Sequence, residues 1–217
     1  MDTMNHRAGP RGIARALLVS SVLALASCTT NPQPFPLPIA PDAKAIYVSN
    51  PELAERAVTT GLPGAITAPL SGDEIVLSSS PAGEEVRGPV FSDGSFSLWI
   101  RVKSGQRLEA RVARDGQESA RVEVPFLVET PNDASLVVRT VSAVTDGKTT
   151  VSGGYRAGQQ VVIGNLRSGA AAVTVTDAAQ NFSATLAATA GDTLSIFGVD
   201  PTTRVAGTAV EAKVPGP

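Results

Sequence analysis

The sequence predicts an all-β protein made of two tandem antiparallel sandwiches, and three observations support this prediction. Hydrophobic residues alternate with polar ones along short runs, which is the period of a half-buried strand. Glycine and proline are frequent, at 20 and 16 of 217 residues, and they divide the chain into many short segments. The third observation is an internal repeat, in which motifs of the first half recur in the second half.

The repeat has a constant spacing of 86 residues (158 − 72) between Gly72 and Gly158, the glycines that precede two similar hydrophobic runs. The same shift relates four further pairs without a gap. These pairs are Gly83 and Gly169, Phe96-Ser97 and Phe182-Ser183, Gly105 and Gly191, and Leu108 and Leu194. One constant shift through five separated landmarks indicates two homologous domains, which we predict at residues 42–126 and 131–217.

The alternation also predicts which side chains face the core of each domain. In domain 1 we expect the following residues to point inward: Phe96, Leu98, Ile100 and Val102, then Leu108, Ala110 and Val112, then Ala120, Val122 and Val124. In domain 2 the inward set is Phe182, Ala184, Leu186 and Ala188, followed by Leu194 and Ile196. Opening strands are predicted near 45–48 and 135–138, and a final strand near 209–214. Asp115-Gly116 is suited to a hairpin turn.

Three segments resemble the tandem bacterial Ig-like repeats of surface and envelope proteins: Val151 to Ile163, Asp93 to Ser97, and Ala190 to Leu194. The resemblance implies Ig-like antiparallel β-sandwich domains that act as rigid spacers or binding modules, often adhesive, without catalysis. The two copies depart from each other in their turns. Ala179-Gln180 replaces Asp93-Gly94, and Pro201 stands where domain 1 has Asp115.

The N-terminal segment predicts a lipoprotein signal peptide at residues 1–27. Arg7, Arg11 and Arg15 precede an apolar run at 16–26, which is shorter than the roughly 20 residues that a transmembrane helix needs. Leu25 to Cys28 resembles the lipobox of bacterial lipoproteins, which implies cleavage before Cys28 and attachment of fatty acids such as palmitate. Several acyl chains would make this attachment durable. An ordinary secretory signal peptide is the alternative.

The resemblance to lipoproteins also implies a destination, because Thr29 rather than aspartate follows the cysteine. In many Gram-negative bacteria this favours the outer membrane over the inner membrane. Residues 28–41 contain a proline at nearly every second position from Pro32 onward, which favours an extended polyproline stalk. A ligand for a proline-recognising groove is the alternative for this segment.

Composition argues against catalysis, cofactors and nucleic acid. The one histidine, His6, lies in the predicted signal peptide, so a Ser-His-Asp triad is not expected in the mature chain and zinc would lack its usual ligands. The formal charge is −2, with no basic run interleaved with aromatics. Calcium ligands could come from acidic residues of domain 1, although a solvated surface cluster is favoured over a metal site. These residues are Asp73, Glu74, Glu84, Glu85 and Asp93.

Trp99 is the candidate binding residue, because alternation points its indole away from the core beside Arg101. We expect Arg111 to complete this weakly defined site, with Glu109, Arg121 and Glu123 as further neighbours. Packing of Trp99 against an arginine stem or against the other domain is favoured over a binding role. Phe197, which aligns with Arg111, presents the same choice.

The sequence therefore predicts a non-catalytic lipoprotein of the bacterial envelope, most consistent with the outer membrane. Its partners would be the membrane, through Cys28, and an envelope protein or surface polymer. The alternative function is a carbohydrate- or peptidoglycan-binding module. The oligomeric state and the identity of the partner stay open.

Overall fold

A computed structural model of the chain describes residues 36–51, 56–81, 83–103, 106–125 and 136–216. The regular structure in these ranges consists of β-strands and one short 3-10 helix, Ala43–Ala45. Asp42 caps this helix by accepting a hydrogen bond from the Lys44 N–H at 2.9 Å. Within the described ranges, no helix is both long and apolar enough to span a bilayer.

The first repeat contains eight strands in two antiparallel sheets. The strands are β1 (Ile46–Val48), β2 (Arg56–Gly61), β3 (Glu74–Ser80), β4 (Glu85–Pro89), β5 (Phe96–Arg101), β6 (Arg107–Arg114), β7 (Gln117–Glu118) and β8 (Val122–Val124). Sheet 1 has the order β1-β2-β5. Sheet 2 has the order β4-β3-β6-β7, and β8 also pairs with β6. Consecutive strands thus change sheet three times, from β2 to β3, from β4 to β5 and from β5 to β6.

The second repeat has the same arrangement. Its strands are β9 (Val137–Val141), β10 (Lys148–Gly154), β11 (Gln160–Asn165), β12 (Ala171–Val175), β13 (Asn181–Ala187), β14 (Thr193–Val199) and β15 (Val210–Lys213). Sheet 3 has the order β13-β10-β9, and sheet 4 has the order β12-β11-β14-β15. Sheet 3 corresponds to sheet 1, and sheet 4 corresponds to sheet 2.

Each repeat encloses its own hydrophobic core between its two sheets. The buried side chains of the first core include Phe96, Leu98, Ile100, Val102, Leu108, Ala110, Val112 and Val124. Those of the second core include Val151, Ile163, Phe182, Leu186, Ala188, Leu194 and Ile196. The predicted inward faces are therefore confirmed for these residues, except that Val151 and Ile163 are core residues outside the predicted inward set. Ala120 is an exception, because it lies outside β8 and is exposed.

A matching glycine-phenylalanine pair supports the structural equivalence of the repeats. Gly61 lies opposite Phe96, and Gly153 lies opposite Phe182. A Cβ atom on Gly61 would stand 2.2 Å from the Phe96 ring, and one on Gly153 would stand 2.6 Å from the Phe182 ring. Each ring thus covers the glycine of the neighbouring strand, and a larger residue would displace it.

The repeat spacing is 86 residues from β3 onward, as predicted, but it is larger for the opening strands. The spacing between the two glycines that face the phenylalanines is 92 (153 − 61). The additional six residues lie between β2 and β3, in a segment of the first repeat that includes Ala65 and Ile66. Both side chains are buried in the first core.

Turn positions with left-handed backbone explain some of the sequence differences. Asp115 and Gly116 both have positive φ angles, 48° and 79°, as the predicted hairpin turn between β6 and β7 requires. Gly94 has a φ of 83°, and its counterpart Gln180 has a φ of 64°. The second repeat therefore keeps the left-handed conformation with a residue that adopts it less readily than glycine.

The two sandwiches also pack on each other, through the outer face of sheet 1 and the outer face of sheet 4. A third hydrophobic cluster joins them. Its buried members are Val58, Val162, Phe197, Val199, Ala206 and Ala209, with Tyr47, Leu62, Trp99 and Leu166 packed against it. The all-β prediction with two antiparallel Ig-like sandwiches is confirmed. The residue boundaries predicted for the domains remain predictions.

Candidate functional site

Trp99 lies on the outer face of sheet 1, as the alternation of β5 predicts. Its neighbours Leu98 and Ile100 point into the first core, and Val58 of β2 lies directly opposite Trp99. The indole is half-buried because it packs against the cluster between the two repeats. Part of Trp99 therefore serves the contact between the repeats, and the remainder is accessible.

The Arg56 guanidinium lies over the Trp99 ring, 4.3 Å from the ring centroid. Such a stack attracts the cation to the π face and contributes about 0.5–1 kcal/mol at a partly exposed site. It also restrains the position of the guanidinium, which is otherwise at the end of a flexible side chain. The sequence offered no signal for Arg56, because the contact depends on the register between β2 and β5.

Arg101 lies directly opposite Arg56 in the same register, so two cationic side chains leave the same face of the sheet. Like charges at opposed positions are unfavourable, since their Cβ atoms are about 5 Å apart. Among the residues that the structure describes, neither guanidinium has a carboxylate partner within ion-pair distance.

Glu84 closes one side of the same region. Its Oε2 accepts a hydrogen bond of 2.8 Å from the Arg101 backbone N–H, which lies on the outer edge of β5. The result is a cleft of about 260 Å³, lined by Arg56, Glu84, Trp99, Ile100 and Arg101. We refer to these five residues as the Trp99 cleft.

Arg111 is not part of the Trp99 cleft. It lies on β6 in the other sheet of the sandwich, where its side chain points away from the core between Ala110 and Val112. The expectation that Glu109, Arg111, Arg121 and Glu123 surround Trp99 is therefore wrong. The physical reason is that β5 pairs with β2, whereas β6 pairs with β3 and β8.

Arg111 instead forms the centre of a charged network on the outer face of sheet 2. Its Nε donates to Glu118 at 2.7 Å, and its Nη2 donates to Glu85 at 2.8 Å. Arg87 bridges the same two carboxylates, with distances of 3.3 Å to Glu85 and 3.2 Å to Glu118. Hydrogen bonds from Arg111 lower the pKa of Glu85 and of Glu118 below their ordinary values.

Phe197 occupies the position in the second repeat that corresponds to Arg111, and it is fully buried between the repeats. A sequence signal for this burial exists. In β14, Leu194 and Ile196 point into the second core, whereas Phe197 and Val199 are apolar on the opposite face. A strand that is apolar on both faces indicates burial on both sides.

Polar contacts at the margin hold the two repeats in one arrangement. The Arg204 guanidinium lies 4.5 Å from the centroid of the Tyr47 ring and donates to the backbone oxygens of Lys44, at 3.0 Å, and Ile46, at 2.5 Å. Ser95 Oγ accepts a 3.1 Å hydrogen bond from the Ala171 N–H. The interface is therefore bonded at several separate points around an apolar centre.

The acidic residues considered for calcium have other partners. Asp73 is buried and binds Arg114, whose Nε and Nη2 each donate at 2.7 Å. The Arg114 guanidinium lowers the pKa of Asp73. Asp93 accepts from the Ser95 N–H at 2.9 Å within its turn. In the described part of the chain, no three acidic, histidine or cysteine side chains are grouped for metal binding.

Cys28 and the predicted signal peptide and stalk lie outside the described residues, except for 36–41 at the end of the stalk. The structure holds this end in place, since Arg114 Nη1 donates to the Pro36 carbonyl at 3.2 Å. The lipidation of Cys28 remains a prediction.

No protein-family model matches the sequence, and no curated protein matches it. Among solved structures, the chain is similar to the BSP domain of a biofilm-associated protein, with 15% identity and a TM-score of 0.29. That match covers 79% of this chain and 29% of the other. It is also similar to the FN1-FN3 domains of chicken CNTN1, with 13% identity, a TM-score of 0.28, and coverage of 83% and 66%.

A third similar structure is a segment of two fibronectin type-III domains from chicken tenascin. The identity is 16% and the TM-score is 0.27, with coverage of 82% of this chain and 98% of that one. The assignment of the fold rests on the strand order and pairing of the chain itself.

Proposed function

We propose that the chain is a non-catalytic interaction module of the bacterial envelope, held to a membrane by lipid at Cys28. The supporting observation is the buried cluster around Phe197, which joins the two sandwiches into one body. A body of this kind presents its exposed faces to a partner at fixed positions. Binding then loses little conformational entropy, because the two repeats do not have to be ordered against each other.

The exposed faces differ in chemistry, so they can be tested separately. The outer face of sheet 2 carries the charged network around Arg111. The outer face of sheet 3 carries hydroxyl groups, for example the Thr150–Thr185 pair at 2.9 Å and the Thr140–Ser152 pair at 2.6 Å. The Trp99 cleft is the third candidate surface.

Site-specific photo-crosslinking in intact bacteria tests the interaction. A photoreactive residue is placed at Arg87, Arg101 or Thr185, one for each surface, and all three side chains are exposed. We expect one position to give a discrete crosslinked envelope protein and the other two to act as its controls. Equal, diffuse crosslinking from all three positions would contradict an interaction function.

The proposed anchor needs its own experiment. Wild-type chain is expected to incorporate labelled palmitate and to enter the detergent phase, whereas Cys28→Ala should do neither. Release of the wild-type protein without label would contradict lipidation and leave the interaction proposal standing.

A second candidate function is recognition of a carbohydrate or of peptidoglycan. The Trp99 cleft favours it, because it combines an indole with charged side chains that do not pair with each other. One face of the indole is covered by Arg56, so recognition here would depend on the cations more than on stacking against a bare ring.

A further inference from the structure

We propose that the Trp99 cleft binds a carboxylate-bearing glycan. This inference rests on the second candidate function and names its ligand class. The cleft lies at the end of sheet 1 where β2 begins and β5 ends, and it is formed by residues of both strands together with Glu84.

The guanidinium groups of Arg56 and Arg101 determine which kind of anion fits the Trp99 cleft. The central carbon of the Arg56 guanidinium lies over the Trp99 ring, 4.3 Å from its centroid, and the cross-strand partner of Arg56 is Arg101. A guanidinium that lies over a ring still has N–H donors, and their fork geometry matches the two oxygens of a carboxylate. An anion between the two arginines also relieves the repulsion of like charges at opposed positions.

Glu84 favours a ligand that has hydroxyl groups beside its acid. One of its oxygens, Oε2, accepts from the Arg101 backbone N–H at 2.8 Å. The carboxylate is exposed and retains acceptor capacity for a donor on the ligand. A uronic acid ring carries both kinds of group. Its carboxylate would contact Arg56 and Arg101, and one of its hydroxyl groups would donate to Glu84. An anion without hydroxyl groups would contact the two arginines but would have no donor for Glu84.

Titration calorimetry of the detergent-solubilised full chain with hexagalacturonate tests this proposal. The methyl ester of the same oligosaccharide is the matched ligand control, because it keeps the sugar chain and replaces each carboxylate by a neutral, slightly larger methyl ester. We expect binding of hexagalacturonate, at least tenfold weaker binding of the ester, and weaker binding of the acid at high salt. Equal affinity for acid and ester would overturn the proposal.

Variants locate the binding. Arg101→Gln should weaken hexagalacturonate binding about tenfold, which is the effect of losing one charge-assisted contact. Arg121→Gln is the matched control, since Arg121 is an exposed arginine that pairs with Glu109 on sheet 2, and it should leave the affinity unchanged. An equal loss in both variants would show that the glycan binds through general charge, and would overturn the assignment to the cleft.

Two further outcomes separate this inference from the proposed function. Tighter binding of hexaglutamate than of hexagalacturonate would assign the cleft to an acidic peptide and overturn the glycan. No binding of any probe, together with a crosslinked protein at Arg101, would overturn the inference while supporting the protein-interaction function. Arg56→Gln is the second variant for the cleft and should also weaken hexagalacturonate binding, with a single cooperative thermal transition as the check that the fold is intact.

Discussion

Sheet 2 of the first repeat and sheet 4 of the second occupy equivalent positions, yet their outer faces are chemically opposite. The centre of one is Arg111, bound to Glu85 and Glu118, and the centre of the other is Phe197, buried against the first repeat. Both residues lie on the same strand of their sandwich, 86 positions apart (197 − 111). The fold of each repeat is thus independent of this residue, whereas the packing between repeats depends on it.

The same contrast appears at Ser78 and Gly164, which are also equivalent. A Cβ atom on Gly164 would stand 2.1 Å from Ser97 Oγ of the first repeat. Ser78 lies on the outer face of sheet 2, where no second sandwich covers it. Core positions are therefore shared by the two copies, while outer-face positions differ according to what covers them.

The largest loss of stability is expected when Phe197 of the second repeat is replaced by arginine, the residue that the first repeat has at the equivalent position, Arg111. Phe197→Arg places a charge in a cluster that is closed to water, which should cost more than about 3 kcal/mol and separate the unfolding of the two repeats. Urea unfolding followed by tryptophan fluorescence and by circular dichroism should then give two transitions that do not coincide.

The reverse exchange, Arg111→Phe, is the matched control for Phe197→Arg. Glu85 and Glu118 stay accessible to water when their partner is lost, so the unfolding free energy should change by less than about 1 kcal/mol. If Phe197→Arg unfolds in a single transition with wild-type stability, the cluster does not join the repeats as described.

Asp73→Asn should give the next largest effect, because it removes one charge of a buried pair and leaves Arg114 without its ionic partner. The expected loss is about 3 kcal/mol at neutral pH, measured by urea unfolding. The corresponding residues of the second repeat are Gln159 and Asp200, so this pair belongs to the first repeat alone.

This pair also predicts a pH dependence. Arg114 lowers the pKa of Asp73 in the folded state, so the carboxyl contributes stability above its unfolded pKa of about 3.9. That contribution is lost as the pH falls through the lowered folded value. Stability measured between pH 7 and pH 2 should therefore fall less steeply in Asp73→Asn than in wild type, and parallel curves would refute the coupling.

Gly164→Ser tests the close approach of the two sheets. The added Cβ and hydroxyl would meet Ser97 and Thr60 of the first repeat, and overpacking of this kind typically costs about 1–3 kcal/mol. The control is Ser78→Gly at the equivalent half-buried position, which no second sandwich covers and which should cost about 1 kcal/mol or less. Thermal unfolding compares the two variants, and similar losses would mean that the interface tolerates a wider separation.

The smallest effect, and a stabilising one, is expected for Gln180→Gly. Gln180 has a φ of 64°, a conformation that glycine adopts without strain and that its counterpart Gly94 already has. The gain should be about 0.5–1 kcal/mol in the melting experiment. Gly94→Gln is expected to destabilise, because a Cβ atom there would stand 2.1 Å from the Ile66 carbonyl oxygen.

The sequence was sufficient to predict the inward faces of most strands, because alternation needs only local information. It was also sufficient for the equivalence of β3 through β6 with β11 through β14. It could not show which strands share a sheet. Trp99 and Arg111 look like neighbours along the chain, but β5 and β6 belong to different sheets, and this depends on pairings between distant segments.

Only part of the Trp99 cleft could be predicted from the sequence, again because strand pairing between distant segments was not visible. Trp99 and Arg101 follow from the period of β5, whereas Arg56 and Glu84 enter only through the register with β2 and the loop after β3. Phe197 is different, since the apolar residues on both faces of β14 are visible in the sequence and predict burial on both sides.

The charged network on sheet 2 has a consequence for how such a protein could have grown by duplication. In this chain the sheet 1 face of one copy docks on the sheet 4 face of the next, which is a head-to-tail contact between unlike surfaces. Contacts of that type do not close on themselves, and copies that kept both surfaces could extend into a filament. With arginines and glutamates in place of Phe197 and its apolar neighbours, the outer face of sheet 2 does not offer the apolar surface that a further contact of this type needs.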